Sequence, residues 1–124
     1  MKYLWIGLGG ALGAISRYAV GVWLYERLGS RFPYGTFAVN ISGCFAVGLI
    51  VAFLDARSAV PSAWRYAVPI GFIGAYTTFS TFELESFHAV QDGFPGVALL
   101  NIILSVVIGY AAVWLGFAAG RHFA

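Results

Sequence analysis

The residues best suited to chemistry form a hydroxyl-rich hexapeptide, TTFSTF, at residues 77–82. Four hydroxyl side chains and two phenylalanines stand there inside an otherwise apolar stretch. If the helix is interrupted at this point, freed carbonyls can coordinate a cation such as sodium, and the positive ring edges of Phe79 and Phe82 can face a dehydrated anion. In the alternative interpretation, the hydroxyls bond back to carbonyls four residues earlier, and the phenylalanines pack against lipid or protein.

Other polar side chains also fall within apolar segments, and each has a functional and a structural interpretation. The Asn40 amide lies about 10 Å into the second segment and could donate to an anion or to a neighbouring helix. Arg17 follows a GxxxG motif by one turn, which suits an aqueous vestibule or a side chain that reaches the interface. Asn101 and Ser105 share a helix face, as a polar track or as packing residues.

The composition places these residues in a membrane protein. The chain has 124 residues, of which 60% are hydrophobic and 10% charged, with a mean hydropathy of +0.84, whereas soluble domains carry about 25% charged residues. A net charge of +2 is too small to suggest nucleic acid, and one cysteine allows no internal disulfide. No phosphate loop, metal-ligand spacing or Ser-His-Asp set is visible, so we expect no enzymatic activity.

Four transmembrane helices fill the chain as a single membrane domain, residues 1–124, because each span needs about 20 apolar residues. Turn-rich and charged stretches divide it into spans at about 3–25, 33–54, 64–90 and 95–119. Gly71, Gly74 and the hydroxyls that follow are poor helix formers, which favours a break in the third span. One side of the membrane would hold Lys2, Arg57, Arg65 and Arg121, and the other would hold Arg27 and Arg31. Four basic residues against two is a weak bias, which permits both orientations.

Three stretches, GGALGAISRY, PYGTFAVNISG and GFIGAYTTFSTFELE, together resemble the small fluoride channels of the Fluc or CrcB family. The resemblance covers all four spans in order, and TTFSTF with the upstream GTFAVN is its most specific part. It implies an all-α protein that forms an antiparallel, dual-topology homodimer in the inner membrane of a prokaryote. It also implies two pathways that export cytoplasmic fluoride passively and lower its toxicity, with a structural sodium ion buried at the dimer centre.

The resemblance assigns roles to individual residues. Gly74 and Thr77 would offer backbone carbonyls to the sodium ion, and Asn40 would donate to passing fluoride. Phe79 and Phe82 would line the pathways with their ring edges. Ser80 and Thr81 would contribute hydroxyls near the pathway or the dimer seam, and Asn101 and Ser105 would form a polar track on the fourth helix. Arg17 matches the first-span arginine, which would lie in the vestibule, and Glu85 matches an acid that the family often has at this position.

Two departures from the family's pattern concern the approach to the break and the residues after it. Ala75 and Tyr76 stand where the family often has Gly-Leu, and Glu83 stands where it often has serine. A carboxylate at that position would repel an anion unless it were protonated or paired. The main rival is a proton-coupled multidrug transporter, which needs a carboxylate in the first span; residues 3–25 contain none. A non-transporting structural protein is the third alternative.

Overall fold

The computed structural model covers residues 1–124 and consists entirely of helices and their connections, without a strand. This confirms the prediction of an all-helical protein. The helices are α1 (Lys2–Leu28), α2 (Tyr34–Ala56), α3 (Ser62–Tyr66), a π-helical segment (Ala67–Ile73), α4 (Gly74–Tyr76), α5 (Phe79–Gln91) and α6 (Pro95–Phe123).

Two of these helices are long and apolar enough to cross a membrane by length and composition alone. They are α2 and α6, with mean hydropathies of 2.2 and 2.3 in their most apolar windows. Helix α1 is equally long, but its glycines, its tyrosines and Arg17 lower its hydropathy. The third predicted span is not counted as a membrane-crossing helix because it is divided into several shorter helices.

Helices α2 and α6 pack with their backbones in contact because glycines line the seam between them. A methyl group added at Gly116 would overlap the Phe45 carbonyl, and one added at Gly48 would overlap the Val113 carbonyl. Gly120 stands in the same relation to the Leu49 carbonyl. Small residues of this kind allow membrane helices to approach closely enough for extensive van der Waals contact.

Helix α1 packs in the same way against the π-helical segment. Gly9 faces the Ala67 carbonyl and Gly13 faces the Phe72 carbonyl, and neither position has room for a side chain. The GxxxG motif is therefore a packing surface for the start of the third hydrophobic segment. The carboxyl end of α2 is held separately, since Arg65 Nη2 donates to the Leu54 carbonyl at 2.6 Å and to the Arg57 carbonyl at 2.7 Å.

The third hydrophobic segment changes conformation four times. It begins as the short helix α3, widens into seven residues of π-helix and tightens into the three residues of α4. Thr77 (φ −87°, ψ 156°) and Thr78 (φ −149°, ψ 122°) are then extended, and α5 begins at Phe79. Wide π-helical turns are often found at functional sites.

Most large apolar side chains remain on the surface of the protomer. Only 18 of 124 residues are buried, and Leu12 and Val106 are each 62% exposed. Soluble monomers seldom expose continuous apolar surface on this scale. The protomer is therefore built for contact with lipid or with another protein over much of its surface.

Candidate functional site

The centre of the candidate site is the extended pair Thr77–Thr78, which Asn40 of α2 holds in place. The Asn40 side-chain amide donates to the Thr78 carbonyl at 2.9 Å, and its oxygen accepts from the Thr78 amide at 2.8 Å. One side chain thus satisfies both backbone groups of a residue that has left the helix. Such satisfaction is obligatory wherever non-helical backbone lies at membrane depth.

The three threonines of the hexapeptide bond locally. The Thr77 hydroxyl donates to the Ile73 carbonyl at 3.0 Å, which also accepts the Thr77 amide. The Thr78 hydroxyl accepts from the Thr81 amide at 3.2 Å and lies 3.1 Å from the Thr81 hydroxyl. Thr78 is therefore the N-cap of α5, a role that threonine commonly fills. Thr77 therefore bonds back along the chain, as the structural interpretation of the hydroxyls expects, while Thr78 caps the helix that follows.

The residues around the extended pair have the chemistry to bind a hard cation. In a continuous helix the Thr78 amide would bond the Gly74 carbonyl, but here it bonds Asn40 instead. Gly74 lies exposed on the protomer, with no side chain to shield its carbonyl. Carbonyl oxygens are the ligands that unwound membrane helices offer to sodium. The chemistry of Gly74 and Thr77 is therefore compatible with the carbonyl ligands that the family resemblance assigns to a sodium ion, and that assignment stays a prediction.

The two phenylalanines of the hexapeptide have opposite environments. Phe79 is 75% exposed and Phe82 is 5% exposed, although their ring centroids lie only 5.8 Å apart at an interplanar angle of 53°. Ser80 is exposed beside Phe79. The ring of Phe82 is thus fixed by the protomer's own packing, whereas Phe79 and Ser80 project from it.

Asn101 of α6 is joined to α5 by a chain of hydrogen bonds. It is 1% exposed, and its amide donates to the Ser86 hydroxyl at 3.1 Å, which in turn donates to the Phe82 carbonyl at 2.9 Å. The Ser105 hydroxyl donates to the Asn101 oxygen at 3.2 Å. This network joins α6 to the turn of α5 that carries Phe82. The sequence reasoning missed Ser86, whose one-turn spacing from Phe82 is the only signal that could have indicated it.

A cavity of about 1400 Å³ reaches the extended pair from the end of the protomer that holds the loop between α1 and α2. Arg17 lines this cavity, together with Thr78 and Thr81. Glu85 also lines it and accepts a hydrogen bond from the Thr36 hydroxyl at 2.8 Å, while its second oxygen is buried without a partner. Thr36 was not predicted as a site residue, although it lies one helical turn before Asn40.

The protomer therefore gathers only some of the predicted site residues around one space. Arg17 and Thr81 share the cavity with Glu85, the acid that the family often has there, and with Thr78, which was not assigned a site role. Asn40 and Asn101 lie at internal contacts, and Phe79 and Ser80 lie on the outer surface.

Comparison with known proteins gives a consistent family relationship. Residues 4–117 match the model of the family described as CrcB-like protein, Camphor Resistance (CrcB). A protein of Acidobacterium capsulatum named fluoride-specific ion channel FluC is 61% identical over 122 residues, which is 98% of each chain. Proteins with the same name are 49% identical in Solibacter usitatus, over 98% of this chain and all of that protein, and 44% identical in Geotalea daltonii, over 96% of each.

The match spans nearly the full length of both partners and includes the stretches on which the resemblance was based, which confirms the resemblance. The stretches that carry the resemblance are those that build the interrupted third segment and its contacts with α1 and α2. The chain therefore belongs to the CrcB-like protein family.

Proposed function

We propose that this chain forms a fluoride-selective channel that lets cytoplasmic fluoride leave a prokaryotic cell passively. The single observation that carries the proposal is the 61% identity, over 98% of both chains, to a protein named fluoride-specific ion channel FluC. A channel makes and breaks no covalent bond, in keeping with the absence of an enzymatic motif from the sequence. Bacterial relatives and the two apolar helices support a membrane location, and the inner membrane is the location that we propose.

Fluoride holds its water strongly, so a path through the protein must replace that water in steps. An asparagine amide carries two N–H bonds; Asn40 uses one for the Thr78 carbonyl and has a second to offer an anion. The Ser80 and Thr81 hydroxyls supply further donors close to the extended pair. The ring edges of Phe79 and Phe82 carry partial positive charge without a full cation that would trap the ion.

The polar residues of α6 bond to other protein groups within the protomer. Asn101 and Ser105 remain proposed members of the polar track, but their hydrogen bonds point to protein acceptors. Ser105 would contact fluoride only if its hydroxyl turned away from Asn101. Asn101 is better placed to support Phe82 through Ser86. Arg17 would act as a vestibule residue, since it lines the large cavity and a positive charge there raises the local anion concentration.

The functional unit that we propose is an antiparallel dimer of two identical chains. Phe79, Ser80 and Gly74 are exposed on the protomer, and a second copy would enclose them. Most oligomers of identical chains are two-fold symmetric dimers, and the weak asymmetry of basic residues permits the two opposite orientations. Each dimer would hold two fluoride pathways.

A sodium ion at the dimer centre is part of this proposal. Gly74 and Thr77 of both chains would supply the backbone carbonyls, four oxygens in all, to a buried and static ion. When bound, the ion would offset the partial negative charge of these carbonyls and tie the two interrupted helices together. Asn40 and Thr78 contribute by holding the backbone in the extended conformation.

The test is efflux from liposomes that contain the purified protein. Fluoride should leave rapidly, chloride should be retained, and a cationic dye should not be exchanged for protons. Dye transport coupled to protons would support the multidrug transporter, although residues 3–25 of this chain lack the carboxylate that such a transporter needs. The absence of all three fluxes from folded, reconstituted protein would support a structural role and contradict the proposal.

A further inference from the structure

Tyr76, the residue immediately before the extended pair, makes contacts that the proposed conduction does not use. Its hydroxyl lies 3.0 Å from the Ser42 hydroxyl of α2. Its ring stacks on that of Phe72, with centroids 5.8 Å apart and planes inclined by 13°. The phenol is thus fixed across its face by the π-helical segment and at its tip by α2.

The direction of the Tyr76–Ser42 hydrogen bond follows from the surroundings of Ser42. Its hydroxyl oxygen lies 2.7 Å from the Ala38 carbonyl and 3.3 Å from that of Val39. A carbonyl can only accept, and a serine hydroxyl has a single proton, so Ser42 donates to Ala38. The Ser42 oxygen is then free only to accept, and Tyr76 must donate to it.

Helix α2 therefore holds the chain on both sides of Thr77. Ser42 holds Tyr76 before it, and Asn40 holds Thr78 after it. Between them the Thr77 methyl group packs directly on Gly43, where an added side-chain carbon would overlap it. The peptide units on either side of Thr77 are consequently restrained from two directions by one turn of α2.

We propose that Tyr76 is a positioning residue for the cation site, which it serves by fixing the backbone that presents the Gly74 and Thr77 carbonyls. The inference rests on the proposed sodium ion and adds to it a residue that is not a ligand. Ligands held in their binding geometry before the ion arrives bind it more tightly, because less ordering remains to be done. A leucine at this position, frequent in the family's pattern, has no hydroxyl with which to make this contact.

The experiment compares Tyr76→Phe, Ser42→Ala and the double variant with wild type. Tyr76→Phe keeps the stacked ring, and Ser42 keeps its bond to Ala38, so no polar group loses its only partner. Tyr110→Phe is the matched control, because Tyr110 is 74% exposed on α6 and has no side-chain hydrogen bond. The measurement is the sodium concentration that gives half-maximal thermal stabilisation of the purified protein, with N-methylglucamine replacing sodium at constant ionic strength.

Tyr76→Phe should raise that sodium concentration by about two- to tenfold, the effect of losing a hydrogen bond worth about 0.5–1.5 kcal/mol. Ser42→Ala should raise it as well, and the double variant should match Tyr76→Phe because the two residues act through one bond. At saturating sodium, fluoride efflux from Tyr76→Phe liposomes should equal that of wild type.

The outcomes separate this inference from the proposed function. A Tyr76→Phe response identical to that of Tyr110→Phe, with wild type responding to sodium, would overturn the positioning role alone. Additive effects in the double variant would also overturn it, since they would mean that the two residues act independently. A wild-type protein that conducts fluoride but ignores sodium would remove the cation site and this inference together, and would leave the fluoride channel intact.

Discussion

Helix α2 contacts two of its neighbours, α6 and the third hydrophobic segment, in two different ways. Toward α6 it presents Gly48 and the backbone of Phe45 and Leu49, and the contact is apolar and close to the limit of approach. Toward residues 76–78 it presents Asn40 and Ser42, and the contact consists of directed hydrogen bonds. The first seam joins two unbroken helices whose backbones satisfy themselves. The second joins a helix to an interrupted one, so the side chains of α2 must satisfy the freed backbone.

The two contacts of α2 therefore have different structural roles. The glycine seam determines the shape of the protomer, and the polar seam determines the conformation of the segment that we propose to carry ions. Substitutions in the two seams should therefore differ in kind as well as in size. Substitution of Asn40 in the polar seam should affect both stability and flux, whereas substitutions in the glycine seam should affect stability alone.

Asn40→Ala should have the largest effect. It leaves the amide and the carbonyl of Thr78 without partners, at about 1–3 kcal/mol for each buried group, and it removes the proposed fluoride donor. We expect a lower thermal unfolding midpoint in detergent and no fluoride efflux. Asn40→Asp should also abolish efflux, because it replaces a donor with a repelling charge. Wild-type efflux from Asn40→Ala protein would show that the polar seam is dispensable.

Gly116→Ala should follow. Its methyl group would overlap the Phe45 carbonyl, and backbone lies on both sides of the contact, so the helices must separate at a cost of about 1–3 kcal/mol. Efflux per folded protein should stay near that of wild type. Gly7→Ala is the control, since an added methyl group there meets nothing within 4 Å. Equal unfolding midpoints for the two variants would contradict the account of the glycine seam.

These two variants also show what the sequence could and could not predict. The helical class and the expectation of an interrupted third segment follow from local composition, and the proposed roles of Asn40 and Phe79 follow from the family's pattern. The partner of Asn40 does not, because a bond across 38 positions depends on how α2 lies against the third segment. Nothing local distinguishes an asparagine that holds backbone from one that faces an ion, and the π-helical turn likewise has no local signature.

The phenylalanine pair should give intermediate effects. Phe79→Ile and Phe82→Ile should each reduce fluoride efflux severalfold, because both lose the positive ring edge. Only Phe82→Ile should also lower the unfolding midpoint, through a loss of up to about 1.5 kcal/mol in the free energy of unfolding. The reason is that Phe82 is 5% exposed, whereas Phe79 is 75% exposed. Full efflux from the variant with both substitutions would reduce these residues to packing roles.

Glu83→Ser should have the smallest effect, and in the opposite direction. Glu83 is exposed on α5 one turn after Phe79. A carboxylate about 4 Å from a passing anion repels it by about 1 kcal/mol in water, so its removal should raise efflux by at most about fivefold. Glu83→Gln should do the same, and 1 M salt should abolish the gain through screening. A gain that persists in high salt would indicate a steric cause.

The fluoride and chloride efflux from one set of liposomes tests whether this protein conducts fluoride and excludes chloride. The vesicles should hold about one copy of the proposed wild-type dimer each and contain both ions at equal concentration, with ion-selective electrodes recording the two together. Fluoride should leave the vesicles that contain protein rapidly, while chloride stays at the level of protein-free vesicles. Release of the two ions at the same rate, or retention of both by folded protein, would contradict selective fluoride conduction.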